Sequence, residues 1–110
     1  MSDQAAQIKP VVVVLPAEID VTNSDMVYEQ LIAVLAPGVS TVIADLTSTS
    51  FCDSSGVRAI MRGHERATAH DVVLRLAVSP EGSVHRVLEL IGAALIVPVH
   101  SSVEEAIQAS

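Results

Sequence analysis

Aromatic residues are almost absent from this chain, which has one Phe, one Tyr and no Trp in 110 residues. Half of the sequence is hydrophobic, so its core must be built from Val, Ile, Leu and Ala, and side chains of that size favour small, tightly packed layers. A chain of this length can bury one core but cannot divide into two independently stable halves. We therefore expect one domain over residues 1–110, with an ordered core over about residues 8–108.

Cysteine and long hydrophobic runs are also scarce. The single Cys52 cannot form an internal disulfide and has no metal-ligand spacing around it, which favours a buried, reduced thiol. No unbroken apolar run, including the one at residues 11–15, approaches the roughly 20 residues that cross a bilayer. The start, MSDQAAQ, does not have the basic-then-apolar pattern of a signal peptide. The sequence thus predicts a soluble, cytoplasmic protein without a metal site.

Positive charge is in short supply. Thirteen acidic residues against six basic ones give a formal net charge of −7, which would repel nucleic-acid phosphates and anionic membrane surfaces. Direct binding to DNA or to membranes is therefore disfavoured. Half of the cations, Arg58, Arg62 and Arg66, recur every four residues along one predicted helix. This stripe is either a solvated helix face or a surface that meets an acidic partner.

Strand-like and helix-like segments alternate along the chain. Apolar runs predict strands at residues 11–15, 42–46 and 72–78, the first of them buried on both faces, and a last short strand at Leu95–Val97. Residues 4–8 are a weaker candidate for an extra edge strand. Apolar residues at helical spacing predict helices after Asp20, from about Ser54, from Ser79 to Gly92, and from Ser102 onward.

Capping residues and breakers predict where these helices begin and end. Two pairs have the spacing of a capping box, Thr22 with Asp25 and Ser102 with Glu105. The third helix is predicted to begin with Ser79 as its N-cap and Pro80 at its first position. The first helix is predicted to end at Ala36-Pro37-Gly38.

Alternating strands and helices require crossover connections, and right-handed crossovers produce a parallel sheet with helices packed on it. We predict an α/β fold with a mostly parallel central sheet of four to five strands and about four helices. This pattern alone identifies no function, because many unrelated activities use the same layers.

One passage carries most of the chemistry: residues 45–57, DLTSTSFCDSSGV, which join a strand to the start of a helix. The first turn of a helix has free N–H groups and a partial positive potential, so an anion on Ser55 would be stabilised there. Gly56 removes a side chain beside that hydroxyl, so a large catalytic cleft could approach it closely. Asp and Ser are also ordinary helix caps. Spacing alone therefore leaves two interpretations open, a cap and a phosphorylation site.

The run DLTSTSFCDSSGVRAIM resembles the motif of the STAS family, the domain shared by sulfate transporters and anti-sigma factor antagonists. In that motif a strand ending in Asp-Leu leads to a Phe-x-Asp-Ser-Ser-Gly helix start. A weaker similarity extends over residues 11–107. It includes Glu18-Ile19-Asp20, which resembles the family's Gly-Glu-Leu-Asp strand end, although Ala17 stands where the family usually has glycine.

The resemblance implies a bacterial anti-sigma factor antagonist that regulates transcription in stress responses by partner switching. Ser55 would be the phosphoacceptor, and Ser54 a neighbouring contact or a helix cap. The partner would be a serine kinase of the histidine-kinase-like ATPase type that is also the anti-sigma factor, and a phosphatase would reverse the modification. The resemblance gives Asp20 and Asp53 as acids beside the acceptor that help form the partner-binding surface. Together with Ser54, Gly56 and the stripe residues Arg58 and Arg62, they make up the predicted partner-binding residues.

Two alternatives remain beside this interpretation. An enzyme is disfavoured because the chain has neither a GxxxxGK[ST] phosphate loop nor a GxSxG nucleophile elbow, and its four histidines are scattered over separate elements. We therefore predict no catalytic residue and no cofactor. The other alternative is an unphosphorylated STAS subunit of a stress-signalling scaffold or a lipid-transport complex. The pattern leaves the oligomeric state open, with a homodimer as one option.

Overall fold

The computed structural model describes residues 10–110. The edge strand predicted at residues 4–8 lies outside the described residues. The elements follow one another in this order: β1 (Val11–Val14), β2 (Glu18–Ile19), α1 (Ser24–Ile32), β3 (Thr41–Asp45), β4 (Phe51–Cys52), α2 (Ser54–Ala69), β5 (Val73–Ala77), α3 (Ser83–Ile91), a 3-10 helix (Ala93–Leu95), β6 (Val99–His100) and α4 (Val103–Gln108).

Four parallel strands form the central sheet, in the order β1-β3-β5-β6. This confirms the predicted α/β fold with a parallel sheet and four helices. A second, smaller pair, β2 and β4, is also parallel. The backbone N–H of Asp53, just after β4, donates to the carbonyl oxygen of Ile19 at 3.1 Å. The small strand pair therefore positions the start of α2, which follows at once.

The main core lies between one face of the sheet and the helices α1, α2 and α3. Its fully buried side chains are mostly aliphatic, as the composition predicts, and they include Ile19, Val27, Leu46, Val57, Ile60, Leu74, Leu76 and Leu88. On the opposite face α4 covers a smaller cluster of Ile43, Ala77 and Ala106. Within residues 10–110, no helix combines the length and the apolar character that crossing a membrane requires.

Among the described residues, β1 lies at an edge of the central sheet, and its exposure corrects the prediction that residues 11–15 are buried on both faces. Val12 and Val14 are 39% and 63% exposed, and only Leu15, after the strand, is buried. A run of β-branched residues does not distinguish a central strand from an edge strand, because strand order depends on the whole chain.

The segment after α3 also differs from its prediction. Gly92 ends α3 in the left-handed conformation, with φ at 87°, as a helix-terminal glycine commonly does. A 3-10 helix then occupies the region where we predicted a strand at Leu95–Val97. The last strand is β6, which begins only at Val99. Leu95 is 91% exposed, so the apolar run does not mark a buried strand here.

Two helix starts were predicted wrongly. The N-cap of α1 is Asn23, and the Thr22 hydroxyl donates to the Asp20 carboxylate instead of forming a capping box with Asp25. This helix also ends at Ile32, about one turn before the predicted stop.

The start of α3 is Ser83, with Gly82 as its N-cap, so Ser79 and Pro80 do not open the helix. The backbone N–H of Gly82 donates to the Ser79 carbonyl in a turn that precedes it. The capping prediction for α4 is confirmed, because Ser102 Oγ accepts from the Glu105 N–H at 3.1 Å. The Glu105 carboxylate in turn accepts from the N–H of Ser101, at 3.2 Å.

Candidate functional site

Ser55 lies in the first turn of α2 and is half-buried. Its hydroxyl donates to the Oδ1 atom of Asp53, with 2.6 Å between the two oxygens. The same carboxylate oxygen accepts from the backbone N–H groups of Ser55, at 2.9 Å, and of Gly56, at 3.2 Å. One carboxylate therefore caps the helix and orients the Ser55 hydroxyl at the same time.

These hydrogen bonds lower the pKa of the Asp53 carboxyl below its ordinary value of 3.8. The bond from the Ser55 hydroxyl makes the largest contribution, and the two backbone bonds and the charge of Arg58 act in the same direction. Asp53 is thus an anion at neutral pH and can only accept, so Ser55 must donate. Because its proton points at Asp53, the Ser55 oxygen keeps its lone pairs for another group.

Ser54 is the first residue of α2, and its side chain is exposed. It does not cap the helix, because Asp53 has that role. The sequence left a cap and a phosphorylation site as alternatives for this passage. In the structure the capping function belongs to Asp53, so neither serine hydroxyl is needed for it.

Asp20 occupies the position after β2 that Asp53 occupies after β4. Because Ile19 is in register with Cys52, the structure brings the two carboxyl-bearing residues to the same end of the small strand pair. Asp20 Oδ1 accepts from the backbone N–H of Thr22, at 2.9 Å, and from the Thr22 hydroxyl. The two aspartates therefore make the same local arrangement side by side.

Gly56 is buried, and packing explains why this residue is glycine. A Cβ atom at this position would lie 2.6 Å from the sulfur of Cys52 and 2.7 Å from a methyl carbon of Ile19. The missing side chain therefore lets α2 approach the small strand pair. This replaces the explanation from sequence, in which the glycine left room for a catalytic cleft.

Cys52 is a free, buried thiol, as predicted. Burial raises its pKa to about 11, and the neighbouring negative charge of Asp53 acts in the same direction. Very little thiolate is present at neutral pH, so nucleophilic chemistry at Cys52 is disfavoured.

The three arginines of α2 do not form one uniform stripe. Arg62 stacks on the ring of Tyr28 in α1, with 4.1 Å from its guanidinium carbon to the ring centre, and its Nη1 atom is 3.7 Å from the Asp25 carboxylate. Arg66 donates to the Tyr28 hydroxyl at 3.3 Å. These two arginines therefore link α2 to α1. Arg58, one turn after Ser55, is exposed and has no ion pair within 4.0 Å in residues 10–110.

A groove of about 350 Å³ lies next to Ser55, between α2 and the end of α3. It is lined by Ser54, Val57, Arg58, Met61 and Ile91. Sequence reasoning missed it because its two walls are distant in the chain. Its one signal in the sequence is Ile91, one of the apolar residues whose helical spacing predicts α3, and this side chain is 50% exposed.

This geometry disfavours Ser55 as a nucleophile in catalysis. The hydroxyl is oriented and partly accessible, but its partner is a carboxylate whose lowered pKa makes it a weak base. No histidine is its hydrogen-bond partner in the described residues. A kinase that supplies its own catalytic base could modify this oxygen.

Comparison with protein families adds an independent observation. A family model described as the STAS domain matches residues 3–106 of the chain. No curated protein matches the sequence.

Several solved structures have the same fold. An anti-sigma factor antagonist from Mycobacterium paratuberculosis is similar with a TM-score of 0.80 and 20% identity, over 92% of this chain and 85% of that one. An anti-sigma-factor antagonist (STAS) domain protein from Planctomyces limnophilus is similar with a TM-score of 0.76 and 24% identity, over 94% and 91%. The murine anion transporter Solute Carrier 26 family member A9 has a TM-score of 0.73 and 20% identity, over 94% of this chain but 18% of its own. At these identities the likeness shows the fold alone.

Proposed function

We propose that this chain, which belongs to the STAS domain family, is an anti-sigma factor antagonist. In the proposed cycle the unphosphorylated chain binds, in the bacterial cytoplasm, a serine kinase of the histidine-kinase-like ATPase type that is also the anti-sigma factor. This binding releases a sigma factor. Phosphorylation of Ser55 by the kinase ends the binding, and a phosphatase restores it. Two of the similar structures are described as anti-sigma factor antagonists, which supports the proposal.

The observation that carries the proposal is the state of the Ser55 hydroxyl. It is half-buried at the start of a helix of 16 residues, and Asp53 holds it in one orientation. A kinase requires a hydroxyl that it can reach and whose oxygen is presented in a defined direction. Ser54, although more exposed, has no such orienting partner among the hydrogen bonds of the described residues.

Phosphorylation would change the contact between Ser55 and Asp53. A phosphate adds about −1.5 to −2 charges. Forming the ester also removes the proton that the Ser55 oxygen donates, so the 2.6 Å contact loses its hydrogen bond and becomes a repulsion between anions.

This repulsion need not unfold the domain. The partial positive potential at the start of α2 favours the new charge by roughly 0.3–1 kcal/mol. In a docked interface, by contrast, a charge left unpaired costs several kcal/mol. We therefore expect phosphorylation to abolish partner binding and leave the fold nearly unchanged.

The second candidate function is an unphosphorylated interaction subunit of a stress-signalling scaffold or a lipid-transport complex. The likeness to an anion transporter of much greater length favours it, because there the same fold is one part of a larger chain. The oriented Ser55 hydroxyl favours the phosphorylation switch over this candidate. Under both candidates the domain has no catalytic role of its own.

A pull-down with nucleotide tests the proposal. Immobilised wild type, Ser55→Ala, Ser55→Asp and the matched control Ser40→Asp, which places the same charge at an exposed serine before β3, are incubated with lysate of the source organism and ADP, and bound proteins are identified by mass spectrometry. We expect all but Ser55→Asp to retain the same histidine-kinase-like ATPase, with at least a tenfold loss for Ser55→Asp. When ATP replaces ADP, wild type should gain one phosphate on Ser55 and release the ATPase.

The outcomes separate the candidates. A Ser55 that stays unmodified after incubation with ATP and the captured kinase would contradict the switch. Equal recovery of transporter or scaffold proteins by wild type and Ser55→Asp would support the second candidate. Self-labelling of the purified chain by ATP alone would contradict a non-enzymatic role.

A further inference from the structure

We propose that the groove between α2 and α3 is a docking site for the kinase, and that it receives an amphipathic segment with an aliphatic side chain next to a carboxylate. This inference rests on the function proposed above. It assigns a binding role to Met61 and Ile91, which line the groove with Ser54, Arg58 and the buried Val57.

The position of the groove supports this assignment. Ser54 lines the groove and directly precedes the acceptor, Ser55, on the same helix. Val57 and Arg58 follow within the next turn. A specific protein interface buries about 800 Å² on each partner, much more than a single serine offers. A kinase whose cleft reaches the Ser55 oxygen therefore also covers the groove beside it.

The end of α3 is unusually apolar for an exposed surface. Ile91 is 50% exposed and Leu90 is 79% exposed, and in the 3-10 segment that follows, Leu95 and Ile96 are 91% and 57% exposed. Several large aliphatic side chains exposed this close together in the chain are typical of an interaction surface rather than of a solvated one. Of these four side chains Ile91 lines the groove, where with Met61 it offers an aliphatic side chain of the partner a place to be buried.

Arg58 gives the groove its charge preference. Its guanidinium has no ion pair in residues 10–110, whereas Arg62 and Arg66 are held by α1. The Asp53 carboxylate is close enough to interact with the charge of Arg58. Its Oδ1 atom, however, already accepts hydrogen bonds from the backbone N–H groups that it caps at the start of α2. The chain as a whole carries a formal charge of −7, so an acidic segment would be repelled by most of the surface. A free arginine at the edge of an apolar groove selects a segment that carries both an aliphatic side chain and a carboxylate.

The experiment makes the same substitution at two partly exposed isoleucines, one in the groove and one on the opposite side of the sheet. Ile91→Gln alters the groove, and Ile107→Gln is the matched control, because Ile107 is 41% exposed on α4, which covers the opposite face of the sheet. The probe is the kinase that wild type captures in the pull-down, purified and saturated with ADP, and affinity is measured by titration calorimetry. We expect Ile91→Gln to weaken binding at least tenfold and Ile107→Gln to change it less than twofold.

A second variant tests the same groove with a different substitution. Arg58→Glu should also weaken binding at least tenfold, and the remaining affinity should depend less on salt than that of wild type. Both altered residues are exposed, and thermal melting monitored by circular dichroism checks that each variant is folded.

The outcomes distinguish this inference from the function on which it rests. A wild type that binds no kinase overturns both. Wild type and Ile91→Gln that bind the kinase equally well overturn the groove and leave the proposed function intact. If wild type self-associates in size-exclusion chromatography, and Ile91→Gln makes it monomeric without changing kinase affinity, the occupant is a second copy of the chain and the inference is overturned.

Discussion

The Ser55 hydroxyl and the Asp53 carboxylate share a hydrogen bond of 2.6 Å, and the same carboxylate oxygen caps α2. This arrangement recurs at two neighbouring strand ends, where Asp20 accepts from Thr22 and Asp45 accepts from Thr47. In each case the aspartate binds both the N–H and the hydroxyl of the second residue after it. Only at Asp53 does the turn open a helix of 16 residues, so only there would modification of the hydroxyl disturb a long helix's cap.

The first prediction concerns Asp53 as the cap. Asp53→Ala should lower the melting temperature at neutral pH by about 5 °C, because α2 loses its only side-chain cap and the hydroxyl of Ser55 loses its acceptor. The folded-state pKa of Asp53 is below 3.8, so its ionised form stabilises the fold above that pH, and the contribution disappears as the pH falls through the folded-state pKa.

Melting curves at neutral pH and at about pH 2 to 3 check this dependence. The difference between wild type and Asp53→Ala should shrink on acidification. A difference of the same size at both pH values would show that the charge of Asp53 does not contribute.

The second prediction compares two buried glycines of α2. Gly56→Ala should lower the free energy of unfolding by about 1–3 kcal/mol, because the new methyl group would collide with the buried Cys52 and Ile19 side chains. At Gly63 the nearest atom is the terminal methyl carbon of Leu31, at 2.8 Å, which a small rotation can move away. Gly63→Ala should therefore cost clearly less, although both variants gain the same helix propensity.

Urea denaturation of the two variants checks the comparison. Equal losses would indicate that the strand pair can yield at Gly56, and that close packing does not account for the glycine there.

The third prediction concerns Cys52. Its thiol is buried and its pKa is raised to about 11, so a thiol reagent at neutral pH should label the native chain only through unfolding. In denaturant the reagent should react at the rate of a free thiol. The measurement is absorbance with a chromogenic disulfide reagent, and rapid labelling of the native protein would show that the thiol is accessible.

The fourth prediction separates two arginines that the sequence placed in one stripe. Arg62→Ala should lower the free energy of unfolding by about 0.5–1 kcal/mol, because it loses the stacking on Tyr28, whereas Arg58→Ala should change it by less than about 0.5 kcal/mol. Charge reversal at Arg62 should weaken partner binding only if that residue also contacts the partner.

A double-mutant cycle with Tyr28→Leu measures the Arg62 contact directly. The effects of Arg62→Ala and Tyr28→Leu should not add. Strict additivity would mean that the stacking contributes nothing to stability.

The features of this protein that could be predicted before the fold was known are local or periodic. Alternating apolar runs and helical spacing predicted an α/β fold with four helices, because these periods follow from backbone geometry alone. The start of α2 near Ser54 and the cap of α4 at Ser102 were predicted correctly, because a cap joins residues only two or three positions apart. The same local reasoning gave wrong starts for α1 and α3, whose N-caps are Asn23 and Gly82.

The pairing of surfaces that cover one another depends on how the whole chain packs. Among the described residues, strand order leaves β1 at an edge of the sheet. Helix packing places Gly56 against Ile19, Arg62 on the ring of Tyr28, and Ile91 beside Ser54. Each of these contacts joins residues far apart in the chain, and their distance is set by strand order and helix packing. A hydrophobic pattern predicts which side chains are buried, but it does not predict which residues they contact. The groove, and the difference between Arg58 and the two arginines that contact α1, are therefore visible only in the folded chain.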